Sequence, residues 1–222
     1  QRQMCIRDRY QLITLKVDIS GSKFFGTNKK LKRDVITEIA ATLSFSAMQN
    51  NDKVGVILFT DQLELYKPPK KGKFNILRII RELLEFKATS SKTSINVALE
   101  FLLGVLKKKA IVFLLSDFID NNYEKTLQIA IKKHDFTGIR IYDKIEASFP
   151  NIGMVPIIDN ESKKINWINT SLNSVRKNYK KNFEKLVYNF KEIFKKNGGG
   201  VIDCCVDESY VKKLLGYFKA RI

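Results

Sequence analysis

Oxygen-bearing side chains lie at the ends of two predicted β-strands and in one loop before a predicted helix, and their types suit a hard divalent cation. Asp18, Ser20 and Ser22 lie at the end of the first predicted strand, in the sequence Asp-Ile-Ser-Gly-Ser. Thr93 lies in a loop before a predicted helix, and Asp117 follows the apolar stretch AIVFLL. Carboxylate and hydroxyl oxygens are the ligands that Mg²⁺ prefers. Because ligands gather beyond the C-terminal ends of strands in open α/β sheets, we expect these five residues to share one metal site.

The predicted site is suited to adhesion. The serine hydroxyls are neutral, so a bound Mg²⁺ or Mn²⁺ keeps net positive charge and attracts an external anion, such as a carboxylate of another protein. Gly21 allows the chain to turn tightly around the ion. We therefore expect a protein-interaction domain without catalytic residues.

Each proposed ligand also has an ordinary structural interpretation. Asp and Ser are common turn formers, so Asp18 and Ser20 could simply terminate a strand. Thr93 could be a helix N-cap, and Asp117 could form an Asx turn. The arrival of all five at one predicted sheet edge favours the metal site.

Other catalytic patterns are incomplete. Ser91-Lys92-Thr93 lacks the glycine that precedes the lysine of a phosphate-binding loop. Ser20 stands where phosphoryl-accepting aspartate enzymes commonly hold a second carboxylate, and no nucleophile elbow of the G-x-S-x-G type occurs. His134, the single histidine, is predicted to be a solvated helix-end residue. A metal-dependent phosphohydrolase remains a weaker hypothesis.

Hydrophobic periodicity predicts an α/β fold with a doubly wound, mainly parallel sheet, because strands alternate with helices along the chain. The predicted strands are Leu12–Ile19, Val54–Thr60, Leu63–Tyr66, Ala110–Leu115, Gly138–Tyr142 and Val201–Val206. The predicted helices are Leu31–Gln49, Phe74–Phe86, Ser94–Leu106, Tyr123–Lys133, Leu172–Lys196 and Ser209–Ala220. Pro68-Pro69 predicts a loop. Lys16 is unexpected, because it falls in a strand that this topology makes central and buried.

A C-terminal extension is predicted to add a β-hairpin of Met154–Ile158 and Ile165–Ile168, with Trp167 packing the hairpin on the sheet. Thr170 or Ser171 is expected to cap the long helix that follows. Residues 10–222 are predicted to be one domain.

The first nine residues, QRQMCIRDR, resemble the translation of a sequencing-library adapter, so we expect a non-native tail and a missing native N-terminal part.

The charge is strongly basic, with 40 Lys and Arg against 23 Asp and Glu and a formal net charge of +17. Such an excess could attract nucleic acid, and a basic nucleic-acid-binding domain is the alternative function. The lysines are spread along the chain and not interleaved with aromatics, so we consider nucleic acid the less favoured partner.

No apolar run reaches the roughly 18–20 residues that span a bilayer. Cys204 and Cys205 are expected to be reduced and buried, which suits the cytoplasm.

The pattern Asp18-x-Ser20-x-Ser22, Thr93, Asp117 resembles the metal-ion-dependent adhesion site of von Willebrand A domains. A narrower resemblance runs from Tyr10 to Ile222, through VDISGSKFFGT, VGVILFTDQLELYKPPKKGK, LLSDF and KKHDFTGIRIYD. These segments are similar to the bacterial domain of unknown function 58 family, whose members carry an A-type domain and are commonly encoded beside MoxR-type AAA+ ATPases. The resemblance implies an adaptor or assembly role with such an ATPase or its client.

The resemblance also implies a role for each ligand. Asp18, Ser20 and Ser22 would bind the metal directly or through water, Thr93 would add its hydroxyl, and Asp117 would act through water. This chain departs from the pattern by having Ser91-Lys92 before the threonine and Ser94 after it. A lysine beside the ion would weaken metal affinity.

Overall fold

We describe the protein from a computed structural model that covers residues 12–18, 31–90, 92–120, 122–158 and 165–221. For residues 12–16, 18, 157, 158 and 165 only the backbone is described. The strands are β1 (Leu12–Asp18), β2 (Lys53–Phe59), β3 (Leu63–Lys70), β4 (Ile111–Ser116), β5 (Asp135–Tyr142), β6 (Met154–Ile158), β7 (Ile165–Asn169) and β8 (Gly200–Cys205). The helices are α1 (Lys32–Gln49), α2 (Lys73–Glu85), α3 (Ile95–Val105), α4 (Glu124–Lys133), α5 (Lys144–Ala147), α6 (Asn173–Lys196) and α7 (Tyr210–Lys219).

Six of these strands form one sheet in the order β3-β2-β1-β4-β5-β8. Every neighbouring pair is parallel except β2 and β3, which are antiparallel. Parallel neighbours require crossover connections, and the helices between the strands supply them. The prediction of a mixed α/β fold with a mainly parallel sheet is therefore confirmed. Lys16 pairs in register with Ile57 and Leu114, but its side chain lies outside the described residues.

Helices cover both faces of the sheet. On one face α1, α2 and α7 pack through residues such as Ile39, Ile79 and Leu214. On the other face α3, α4 and α6 pack through residues such as Leu99 and Leu127. This two-sided burial explains why β2 is almost wholly apolar, since its side chains have no solvent-facing side.

Glycine is required where other groups approach the sheet closely, as at Gly138 and Gly55. A Cβ atom on Gly138 of β5 would lie 2.5 Å from Cζ of Phe194, so the rings of α6 rest directly on this strand. A Cβ on Gly55 of β2 would lie 2.8 Å from Cγ of Pro69. Any side chain at either position would push the neighbouring element away from the sheet.

The prediction of a loop at Pro68-Pro69 is wrong, because β3 runs to Lys70. Within the six-stranded sheet β3 is one of the two edge strands, with β2 as its neighbour. Proline lacks the backbone N–H that a central strand needs, but an edge strand can point that position away from its partner. Pro68-Pro69 indicated a break in the strand, because the sequence pattern does not show whether a strand lies at the edge of a sheet.

Three further predictions need correction. His134, predicted to be solvated, is 2% exposed at the end of α4. Trp167, predicted to pack the hairpin on the sheet, is 64% exposed. Neither Thr170 nor Ser171 caps α6, whose N-cap is Leu172. The Thr170 hydroxyl instead donates to the carbonyl of Gly153 at 2.7 Å and ties the hairpin to the start of the helix.

Candidate functional site

The C-terminal ends of β1, β2 and β4 meet at one edge of the sheet. Asp18 is the last residue of β1 and pairs in register with Phe59. Val17 pairs with Leu115 of β4, so the backbone of Asp18 is level with the end of that strand, immediately before Asp117. The expected convergence of these two strand ends is thus observed for the backbone. Ser20, Ser22 and the side chain of Asp18 lie outside the described residues.

Thr93 lies in a loop that hydrogen bonds hold at the same edge. The Ser94 amide donates to the carbonyl of Thr60, just after β2, at 2.9 Å. The Ile95 amide at the N-terminus of α3 donates to Oδ2 of Asp120 at 2.7 Å, which ties this loop to the segment after β4. The N-cap of α3 is Ser94, so the alternative interpretation of Thr93 as the cap is wrong.

Asp117 uses both of its carboxylate oxygens. Oδ1 accepts a hydrogen bond from the Ile119 amide at 3.1 Å, which is the Asx turn considered as its alternative role. Oδ2 lies 3.8 Å from Nζ of Lys32, and the Asp117 side chain is 8% exposed. An Asx turn occupies one oxygen only, so it orients the second oxygen without excluding a role in cation binding.

Lys32 is a buried cation that we did not predict. Its side chain is 2% exposed, and its Nζ forms a close ion pair with Oε1 of Glu146 in addition to the contact with Asp117. Burial of an ammonium group is costly unless it is paired, and the two carboxylates supply this pairing. The sequence did contain a signal, because Lys32 precedes Val35 and Ile36 at the three- and four-residue spacing of the buried stripe of α1.

Glu146 is held in place by the first turn of α5. Its Oε2 accepts a hydrogen bond from the Asp143 amide at 3.0 Å, while Oδ1 of Asp143 accepts one from the Ile145 amide at 2.9 Å. This reciprocal capping box leaves Oε1 of Glu146 directed at Lys32. The predictions omitted both α5 and Glu146, because a four-residue helix gives no measurable periodicity.

The segment that follows Asp117 has a strained backbone. Phe118 has φ of 58° and Asn122 has φ of 65°, the left-handed region that costs most L-residues about 1–2 kcal/mol. Phe118 is held there because its buried ring packs on Phe190 and Phe194, with centroid distances of 4.3 Å and 5.7 Å. The Phe118 amide also donates to Oγ of Ser116 at 3.1 Å. Asp117 is therefore fixed between two anchored neighbours.

The donor types at this edge fit a hard cation in part. The Thr93 hydroxyl and the Asp117 carboxylate are suitable oxygen donors, whereas the Lys32 ammonium next to Asp117 opposes a second positive charge. Among the described residues, no group of three or more His, Cys, Asp or Glu side chains is arranged to hold a metal ion. Because three of the five predicted ligands are not described as side chains, the prediction of the complete site remains a prediction.

The cysteine prediction is confirmed for the described pair. Cys204 and Cys205 in β8 are buried and not bridged. Burial raises the pKa of the Cys204 thiol to about 12 and also raises the pKa of Cys205. Both thiols are therefore packing groups and poor nucleophiles at neutral pH.

Comparison with known proteins gives relatives of similar sequence and similar fold. The chain is 27% identical over 165 residues to the uncharacterized protein Rv1480 of Mycobacterium tuberculosis and, equally, to Mb1516 of Mycobacterium bovis. These alignments cover 72% of this chain and 51% of each relative. The chain thus spans about half the length of the curated relatives that it matches.

Two solved structures share the fold at low sequence identity. The conserved hypothetical protein BatB from Bacteroides thetaiotaomicron is 13% identical with a TM-score of 0.59, over 95% of this chain and 97% of that one. An aerotolerance-related membrane protein from Bacteroides fragilis is 12% identical with a TM-score of 0.60, over 94% and 97%. Of the helices in the described ranges, none has the length and apolar character needed to cross a membrane.

A family model for proteins of unknown function matches residues 2–186, which is most of the chain and includes β1 to β7. The resemblance inferred from the segments around Asp18, Val54 and Asp117 is therefore confirmed at the level of the family. The chain belongs to the DUF58 family of proteins of unknown function.

Proposed function

We propose that this chain is a divalent-cation-dependent protein-interaction domain of the von Willebrand A type. Asp18, Ser20, Ser22, Thr93 and Asp117 would hold Mg²⁺ or Mn²⁺ at the C-terminal edge of the sheet. The ion would supply one open coordination position with residual positive charge, which a carboxylate of a partner protein would fill. The residues of this chain would bind and orient the ion, without catalysis.

The observation that carries this proposal is the arrangement of the loops at the sheet edge. Hydrogen bonds connect the segment carrying Thr93 to the end of β2 and to Asp120 after β4, while Asp18 ends the strand between β2 and β4. The strained Phe118 next to Asp117 adds support, because backbone strain of this kind clusters at functional sites. The partner we propose is a MoxR-type AAA+ ATPase or its client, as the family resemblance implies.

The test is direct metal binding to the purified chain, measured by titration calorimetry with Mg²⁺ and with Mn²⁺. We expect binding that Asp18→Ala and Asp117→Ala each weaken at least about tenfold, since each removes a charged oxygen near the ion. Glu85→Ala, which changes an exposed carboxylate on α2, serves as the matched control and should leave affinity unchanged. Equal binding by all four proteins, or no binding at all, would refute the proposal.

A basic nucleic-acid-binding domain is the second candidate, and the net charge of +17 favours it. The two candidates differ in their response to salt and chelator. Affinity for nucleic acid should fall steeply as salt rises and should be insensitive to EDTA. Capture of a purified ATPase partner should instead be lost in EDTA and restored by Mg²⁺.

A further inference from the structure

The hairpin of β6 and β7 presents an apolar face to solvent. Trp167 pairs in register with Pro156, and Met154 lies two residues before that proline. Because side chains alternate between the faces of a strand, Met154, Pro156 and Trp167 share one face. Met154 is 56% and Trp167 64% exposed, whereas Val155 and Ile168 on the other face are partly buried. The outward face thus carries the larger apolar side chains.

Two more exposed apolar residues adjoin this face. The Ile152 amide donates to Oγ1 of Thr170 at 3.1 Å, and the Thr170 amide donates to the carbonyl of Gly153 at 2.8 Å. These bonds bring exposed Ile152 close to exposed Leu172, two residues after Thr170. We call Ile152, Met154, Pro156, Trp167 and Leu172 the hairpin surface. Contiguous apolar patches on a protein surface commonly mark interaction sites.

The hairpin surface has no cover from the described part of the chain. Within that part, β6 and β7 pack chiefly on each other and make no extended interface with another helix or strand. A two-stranded hairpin by itself is only marginally stable in water. Removal of its apolar face from water by docking on a second surface would therefore stabilise the hairpin.

The neighbouring part of α6 is positively charged. From Asn173 to Phe183 the helix carries Arg176, Lys177, Lys180 and Lys181 and no acidic residue. All three of these lysines are exposed. With 3.6 residues per turn and a rise of 1.5 Å per residue, Lys180 lies about 12 Å along the helix from Leu172 and is the lysine nearest to the side of the helix that carries Leu172.

We propose that the hairpin surface docks on the headgroup region of an anionic phospholipid membrane. Tryptophan favours the membrane interface because its ring is apolar and its N–H is polar. Ile152, Met154 and Leu172 offer aliphatic surface to acyl chains, and the lysines of α6 attract anionic headgroups. A nucleic acid fits the hairpin surface less well. Bases stack on aromatic rings, and this surface provides one aromatic ring, that of Trp167, among aliphatic side chains.

The test uses the fluorescence of Trp167, which is the one tryptophan in the sequence. The whole chain is mixed with vesicles of phosphatidylcholine alone or with phosphatidylglycerol added, and binding is also measured by sedimentation. We expect a blue shift of the emission and quenching by brominated acyl chains with the anionic vesicles only. The double variant Lys177→Gln, Lys180→Gln should weaken this binding on the order of tenfold.

Trp167→Ala should weaken sedimentation with anionic vesicles several-fold, with an unchanged circular dichroism spectrum. The matched charge control is Lys107→Gln, Lys108→Gln, which changes two exposed lysines before β4 at the opposite sheet edge and should bind like the parent. The proposal is overturned if Trp167 emission is already blue in buffer or if neutral and anionic vesicles bind equally. Binding to single-stranded oligonucleotide without binding to vesicles would also overturn it.

Discussion

The ammonium nitrogen of Lys32 lies 3.8 Å from Oδ2 of Asp117, at the edge of the sheet where we propose a metal site. Glu146 pairs with the same ammonium, so two carboxylates share one buried positive charge. This arrangement balances much of the acidic charge without a metal ion. A divalent cation near Asp117 would have to bind in the field of Lys32, which gives Lys32 control over metal affinity under our proposal.

We expect Lys32→Met to raise the affinity for Mg²⁺ on the order of tenfold, because the variant removes a positive charge 3.8 Å from Oδ2 of Asp117 that repels a second cation at this carboxylate. Without metal, the same variant should lose about 3 kcal/mol of stability, since two mostly buried carboxylates lose their counter-ion. Calorimetric titration and urea unfolding with and without Mg²⁺ measure both effects. Lys32→Arg, which keeps the charge, is the control, and weaker Mg²⁺ binding by Lys32→Met would contradict this interpretation.

At position 118 we expect a glycine variant to be more stable than an alanine variant, which is the reverse of the usual order. Its φ of 58° favours glycine, so we expect Phe118→Gly to be about 1 kcal/mol more stable than Phe118→Ala, although both lose the packing of the ring. Phe136 is the matched control, because it is equally buried in β5 and has no positive φ. There alanine should be the more stable replacement. Urea unfolding of the four variants decides the comparison, and the same order at both positions would exclude backbone strain at Phe118.

Glu64 should contribute to the pH dependence of stability. Burial raises its pKa, but hydrogen bonds from Thr89 at 2.6 Å and 3.1 Å and from Thr60 at 2.8 Å outweigh burial and lower the pKa below 4.5. A lowered pKa in the folded state means that the stabilisation is present above pH 4.5 and is lost as the pH falls through the lower folded value.

We therefore expect Glu64→Gln to destabilise the protein at pH 7 by about 0.5 kcal/mol, because solvent screening limits the contribution of a partly exposed carboxylate. The difference from the parent should shrink below pH 4.5. Thermal unfolding from pH 3 to pH 8 measures it, with Glu184→Gln on the exposed side of α6 as the control. A difference that grows as the pH falls would contradict the lowered pKa of Glu64.

Cys204 and Cys205 should resist thiol reagents in the folded protein. Burial raises the pKa of Cys204 to about 12, so very little thiolate forms at pH 8, and both side chains are inaccessible. Cys5 is the third cysteine of the sequence, and a Cys5→Ser variant leaves only this pair. In that variant, alkylation should be slow in buffer and should reach two thiols per chain in urea. Rapid labelling of the folded variant, followed by mass spectrometry, would show that β8 opens at the edge of the sheet.

The sequence by itself determined the order of the main elements and the parallel sheet. Apolar strands such as Val54–Thr60 alternate with amphipathic helices such as Leu31–Gln49. The hydrophobic period that distinguishes them is a local property of the sequence and does not depend on tertiary contacts. The sequence also placed Asp117 beyond the end of a strand, at the edge where the C-terminal ends of parallel strands meet.

Only the tertiary structure decided which charges meet at that edge and which side chains remain outside. Lys32 and Glu146 are 114 positions apart, so no local sequence pattern predicts that they form an ion pair. The pair forms because the fold brings the N-terminus of α1 close to α5. Trp167 gives the opposite case, since an aromatic residue on a strand predicts burial only if another layer covers its face. No described element covers that face, and Trp167 therefore lies in solvent.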